Sequence, residues 1–283
     1  MPSNISGQLV KAMFSGLHRR SAATALPEPG TLSMALEELI DQTTESTQLI
    51  SPSILSLFAS AGVEMWHRAV HSFLVSASLT KASPLWSSVS GYYSSHYAIR
   101  GLAHLLGYFQ LQKIKKTVKV EISGNQFICH IDKKQRRDAE HKFYWMIVKE
   151  DHHFSNDPLY TKNDKGKPIS DCEHRNKANY ADHINKFPRF HVLDAIYLKQ
   201  RIETISNIVL SDSPIPRVDQ YPDVDYVQLI AYHRMVGLRE FVDEILGGGN
   251  RFWSVHRNPA WSRDFLDFQI KHPMYTNAYM ESL

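Results

Sequence analysis

Between Ile54 and Leu106 the apolar residues keep helical spacing through two long runs, and the break "TKASP", Thr80 to Pro84, separates them. No other feature constrains the fold as much. In the first run Leu57, Phe58, Trp66, Val70, Phe73 and Ala77 recur at helical intervals behind Ser51-Pro52-Ser53, a helix start signal. The second run restarts at Ser83-Pro84. Its Leu85, Val89, Tyr92, Tyr93, Ile99, Leu102, Ala103 and Leu106 form a broad apolar stripe that stops near Gly107. Two such helices with a short break between them should pack as an antiparallel pair.

The period then changes. Val118, Val120 and Ile122 alternate with Lys119, Glu121 and Ser123, Gly124-Asn125 supplies a turn, and Phe127, Cys129 and Ile131 alternate with Gln126, Ile128 and His130. This predicts a β-hairpin over about 117–132, set into a mainly α fold. A charged run and the aromatic "KFYWMIV" follow as a turn and a helix, and the Asp-Pro, Lys-Gly and Lys-Pro pairs of 156–170 mark a loop. Helices resume near Glu173 and again from Val192 through Ile202, Ile205 and Val209. The last, Val224 to Leu246, is closed by Gly247-Gly248-Gly249. Upstream, Leu9, Val10, Met13, Phe14 and Leu17 sit on a short amphipathic helix, and a Pro/Gly connector leads to another from Ser33. The organisation expected is a peripheral helical extension over 1–50, a helical bundle over 51–246 with an insertion at 111–170, and an aromatic, Arg-rich segment at 247–283.

With 43% hydrophobic and 22% charged residues in 283, the chain can bury a substantial core. No run approaches the roughly 20 apolar residues of a membrane span, and the N-terminal helix lacks a signal-peptide core. A cytoplasmic protein without membrane contact is expected. Two cysteines, Cys129 and Cys172, make neither a disulfide framework nor a zinc set. Charge is uneven: Leu111 to Arg201 holds 19 Lys+Arg against 12 Asp+Glu, leaving 13 against 17 for the remainder. A basic middle suits a polyanion, and it equally suits a solvated insertion.

Two stretches carry a family resemblance. "YYSSHYAIRGLAHLLGY", Tyr92 to Tyr108, resembles the tyrosine-rich second helix of HEPN domains, and "WHRAVHSFLVSASL" precedes it as the family's first helix does. "HRNKANYADH", His174 to His183, resembles the family's later helix, in which an arginine is followed by a small residue and an Asp/Asn-Tyr pair. The resemblance implies an all-helical bundle, commonly a homodimer. In active members an arginine with a polar follower and a histidine five to seven positions later cleave RNA without metal. Histidine exchanges protons with the ribose 2′-hydroxyl or the leaving oxygen near neutral pH, while arginine stabilises the phosphorane-like transition state. Carried onto this chain, the catalytic candidates are Arg175, Asn176 and His183, with Tyr180 as support. His183 stands eight positions after Arg175, about 80° round and about 12 Å along a regular helix. The weaker alternative, Arg251 with His256, has five positions and Phe252 in place of the polar follower.

Lys113, Lys115, Lys116, Lys133, Lys134, Arg136 and Arg137 are the candidate RNA-binding residues of the basic middle, and Arg251, Trp253 and Arg257 those of the tail. Interleaved rings and guanidiniums stack bases and hold phosphates, and the same composition builds protein interfaces. Tyr92, Tyr93, His96 and His104 read as core aromatics with hydrogen-bonded tips, and Arg100 as an intrahelical neighbour of His104. Asp151, His152, His153, Cys172, His174, Asp182 and His183 are metal-ligand types, but His174 to His183 lacks the spacing of three or four that ligands on one helical face need, and the set reads as solvated polar residues beside a loop. No metal or other cofactor is expected. The leading expectation is an RNA-acting, HEPN-like protein, possible as a metal-independent endoribonuclease of a microbial stress or defence system. The alternative is a non-catalytic adaptor that binds a partner protein or RNA through the basic middle and the aromatic tail.

Overall fold

The computed structural model describes residues 5–18, 29–42, 45–132, 140–157, 200–205, 207 and 223–247. Most of them are helical. The predicted helix pair is α3, Pro52–Leu79, and α4, Pro84–Leu105, which pack along each other more extensively than any other two elements. Ser51 caps α3 by accepting the Ile54 N–H at 3.4 Å, and Pro52 takes the first turn, where no backbone donor is missed. Every residue from Leu55 to Val63 is buried. A helix buried all round belongs at the centre of a fold, and α3 is flanked by α1 (Ile5–His18), α2 (Pro29–Asp41), α4 and α6 (Asp223–Leu246). The pair packs closely because both helices are bare at the crossing. A Cβ on Gly101 would stand 3.0 Å from the Gly62 carbonyl oxygen and 2.7 Å from Leu238 Cδ1.

Within the region 1–50 expected to be peripheral, the described helices α1 and α2 join the core. Leu9, Val10, Met13 and Phe14 of α1 are at most 3% exposed and belong to the central core, as do Leu32, Leu36 and Ile40 of α2. Each helix is amphipathic, and burying its stripe against α3 is what makes so short a helix stable.

The predicted hairpin forms as β3 (Lys116–Ser123) and β4 (Gln126–Asp132), with Gly124 at φ +60 in the turn. It is the middle of a larger sheet. β1 (Thr47–Leu49) pairs with β4 and β2 (Tyr108–Leu111) with β3, giving an antiparallel order β1-β4-β3-β2. Phe109, Leu111, Val118, Val120, Cys129 and Ile131 enter the same core as the helices. α5 (Glu140–Glu150) lies beside β2, where the Tyr144 hydroxyl accepts the Gln110 N–H at 3.0 Å and covers a donor of the edge strand. Gly107 links α4 to β2 at φ +86, and a Cβ there would lie 2.7 Å from the Val120 carbonyl oxygen, so the sharp exit from α4 requires glycine. α6 runs to Leu246 and ends, as expected, at Gly247 with φ +81. Among the described residues no helix is long and apolar enough to cross a membrane.

Candidate nucleic-acid interface

The strand register assembles a polar face. Tyr108 is opposite Lys119, Lys119 opposite His130, and His130 opposite Thr47, so a single row crosses all four strands on one side of the sheet. The neighbouring row puts Gln110, Thr117 and Asp132 on the same side. Of these, Tyr108, Thr117, Lys119, His130 and Asp132 line a cleft of about 380 Å³ together with Ser46, Ile131 and Phe143 of α5.

Electrostatics keep this face charged. Lys119 forms an ion pair with Glu121, and the Lys119 ammonium stands 5.6 Å from the centre of the Tyr108 ring. Glu121 also meets His130 Nε2 at 3.3 Å. The hydrogen bond to Glu121 raises the Lys119 pKa above its ordinary value, and the same bond lowers that of Glu121. Both groups therefore stay ionised through the neutral range.

Lys113, Lys115 and Lys116 lie at one end of the sheet. Lys113 is 80% exposed and reaches Glu37 at 3.4 Å, Lys115 is exposed, and Lys116 opens β3. Lys115 has φ +52, a left-handed conformation uncommon for a residue with a Cβ, imposed by the tight connection from β2 to β3. At the same end Asp132 closes β4 opposite Thr117, one residue from Lys116. Lys133, Lys134, Arg136 and Arg137 come next in sequence and lie outside the described residues.

The tyrosine-rich helix is turned inward. Tyr92 and His96 are buried, their rings parallel with centroids 6.3 Å apart, and Tyr93 is half-buried against Tyr92. His104 is 1% exposed, stacked on Phe109 at 4.9 Å and met edge-on by Tyr144 at 5.3 Å. Its tautomer follows from its partners. Nδ1 faces the Tyr108 carbonyl oxygen at 3.0 Å and so donates, while Nε2 accepts the Arg100 Nε–H at 3.3 Å. Burial, then the Arg100 charge, push its pKa down to about 3. With its lone pair taken and its protonation suppressed, His104 supports the core and is unsuited to acid-base catalysis, as the sequence reading had it.

Arg175, Asn176, Tyr180 and His183 lie outside the described residues, and so do Arg251, Trp253, His256 and Arg257. Of the residues nominated from sequence, the structure thus brings together Lys113, Lys115 and Lys116. It adds Tyr108, Lys119, His130 and Asp132, which were not nominated. The alternation of the hairpin had already put Lys119 and His130 on its polar side. Pairing with β2, which adds Tyr108 to their row, had no sequence signal. Compared with known protein families, curated proteins and solved structures, the chain matches none.

Proposed function

We propose that this chain is a HEPN-like, RNA-acting protein that holds RNA on the basic end of its sheet and cleaves it without a metal through Arg175 and His183. The observation that carries the binding half is the grouping of Lys113, Lys115 and Lys116 at one sheet end, where β4 finishes at Asp132 and "KKQRR" follows in sequence. Positive groups spaced along an edge meet successive phosphates, and the Tyr108 ring beside Lys119 offers a stacking surface. The cleavage half rests on the "HRNKANYADH" resemblance, with Asn176 and Tyr180 as supports. A homodimer in the cytoplasm fits the same family.

Salt-dependent RNA binding and end-group analysis test this reading together. Replacing Lys113, Lys115 and Lys116 by Gln should flatten the slope of log affinity against log salt by about 2, since each single-strand phosphate contact contributes about 0.7. Arg175→Ala and His183→Ala should each lower cleavage about 100-fold or more with binding kept, and products should end in 2′,3′-cyclic phosphate. Salt-insensitive binding with no cleavage of any RNA would replace this reading with the partner-protein adaptor.

A further inference from the structure

We propose that the turn leaving α5 is a binding site for one divalent transition-metal ion of the zinc class, with Asp151, His152 and His153 as its three protein ligands. In the sequence these residues read as solvated polar groups beside a loop, and ligands carried on a turn need no helical spacing.

The geometry is that of a half-assembled site. Asp151, His152 and His153 each offer one ligand atom, and all three atoms lie within 4.8 Å of one another. Asp151 Oδ1 is 3.0 Å from His153 Nδ1, a hydrogen bond whose proton a bound metal ion would displace to solvent, and 3.7 Å from His152 Nδ1, so both imidazoles turn the same nitrogen toward one carboxylate oxygen. Metal–ligand bonds of about 2.0–2.2 Å put the ligand atoms of a tetrahedral site roughly 3.3–3.5 Å apart. Two of these separations are already close to that range. The remaining adjustment falls on His152, whose side chain is 55% exposed and whose ring centre stands 4.0 Å from that of His153.

Two ligands are held in place by the fold. The His153 backbone N–H donates to Asp151 Oδ1 at 3.0 Å and orients the carboxylate. The His153 ring packs edge-on against Phe241 of α6 at 5.1 Å, and Phe154 beside it packs on the same ring at 5.6 Å. The turn is closed by Phe154 and Ser155 N–H groups donating to the Asp151 carbonyl at 3.0 and 2.8 Å.

Electrostatics favour a cation at this place. Glu150 ends α5 and Asp151 follows it, so two carboxylates stand at the negative end of a helix, where a negative charge is destabilising and a positive one stabilising. Lys149 is drawn over the Trp145 ring at 4.7 Å. Two imidazoles and one carboxylate suit a borderline cation such as Zn²⁺ better than Mg²⁺ or Ca²⁺, which prefer oxygen-only shells. Three protein ligands leave a coordination position for water, and binding would tie the end of α5 to α6 through His153 and Phe241.

The full-length, untagged protein, stripped with chelator, should be titrated with Zn²⁺ by calorimetry and with Co²⁺ by visible absorption. The expected result includes one saturable site whose affinity drops about 100-fold or more in Asp151→Asn and in His153→Gln. His233→Gln should keep it, because His233 pairs with Asp157 at 2.8 Å outside the ligand set. Circular dichroism of the stripped variants establishes that they fold, and a variant that does not is replaced by His152→Ala, at the most exposed of the three ligands. Zn²⁺ affinity unchanged in Asp151→Asn and His153→Gln, or no saturable site in the wild type, would overturn the proposal. None of these readouts involves RNA, so the outcome is separate from that of the cleavage experiment.

Discussion

The junction of α3, α4 and α6 and the open face of the sheet are built from the same kinds of side chain, hydroxyls and basic residues among them, and use them in opposite ways. At the junction the hydroxyls and the amide satisfy one another away from solvent. Ser76 Oγ donates to the Ser87 carbonyl and Ser87 Oγ to the Ser76 carbonyl, both at 2.7 Å, and Thr80 Oγ1 donates to the Ala77 carbonyl at 3.0 Å. Their lone pairs then face Gln228 Nε2, whose two hydrogens are shared among Ser76, Ser87 and Thr80 at 3.1, 3.0 and 2.8 Å. Gln228 Oε1 accepts from Arg201 Nε and Nη2 at 2.8 and 2.7 Å. On the sheet, Lys119, Glu121 and His130 pair with one another while remaining more than 40% exposed. Polar content alone thus does not mark a binding surface. What marks it is whether solvent can still compete for the groups.

This contrast can be broken most sharply at Gln228, which is fully buried. Gln228→Leu removes an acceptor of Arg201 and the amide group shared by three hydroxyls, and should cost at least about 3 kcal/mol in denaturant unfolding. A loss under 1 kcal/mol would mean that water already serves the junction.

The next effect is a pH slope. His104 stays neutral in the fold down to about pH 3, whereas in the unfolded chain it protonates below its ordinary 6.5. Between those values the unfolded state binds the extra proton, so stability falls as pH drops from about 6.5 toward 3, by about 1.4 kcal/mol per unit at most. Unfolding free energies measured at pH 5 and pH 6 should change less in His104→Gln than in the wild type, by about 1 kcal/mol. Equal slopes would show that His104 can be protonated in place.

The smallest effect should come from the sheet. Lys119→Ala and His130→Ala are expected to shift stability by no more than about 0.5 kcal/mol, because exposed ion pairs contribute little. If either reached the Gln228 value, the sheet face would be part of the core and a poor candidate for contact with a ligand.

Much of this was legible in the residues. The restart at Ser83-Pro84 marked the helix pair, and the alternation from Val118 to Ile131 marked the hairpin with its inward side, since helical and strand periods are local properties. The peripheral reading of α1 failed for the opposite reason: an amphipathic stripe says that a face must be covered and does not say by what. Asp151, His152 and His153 read as solvated polar residues beside a loop, because no local pattern shows that the turn gathers their ligand atoms. The catalytic candidates Arg175 and His183 stand on sequence resemblance alone.

The sequence by itself determined the elements, because periodicity, proline and glycine act within a few residues of where they stand. It also marked Tyr92 as interior, since it sits on the apolar stripe of α4, and read His104 as a core residue with a hydrogen-bonded tip. Only the tertiary structure decided that β1 and β2 flank the hairpin, that Tyr108 joins Lys119 and His130 in one row, and that His153 rests on Phe241. Those pairings join residues far apart in the chain. Which strand edge or ring is met is settled by the packing of the whole core, and no local pattern encodes that choice.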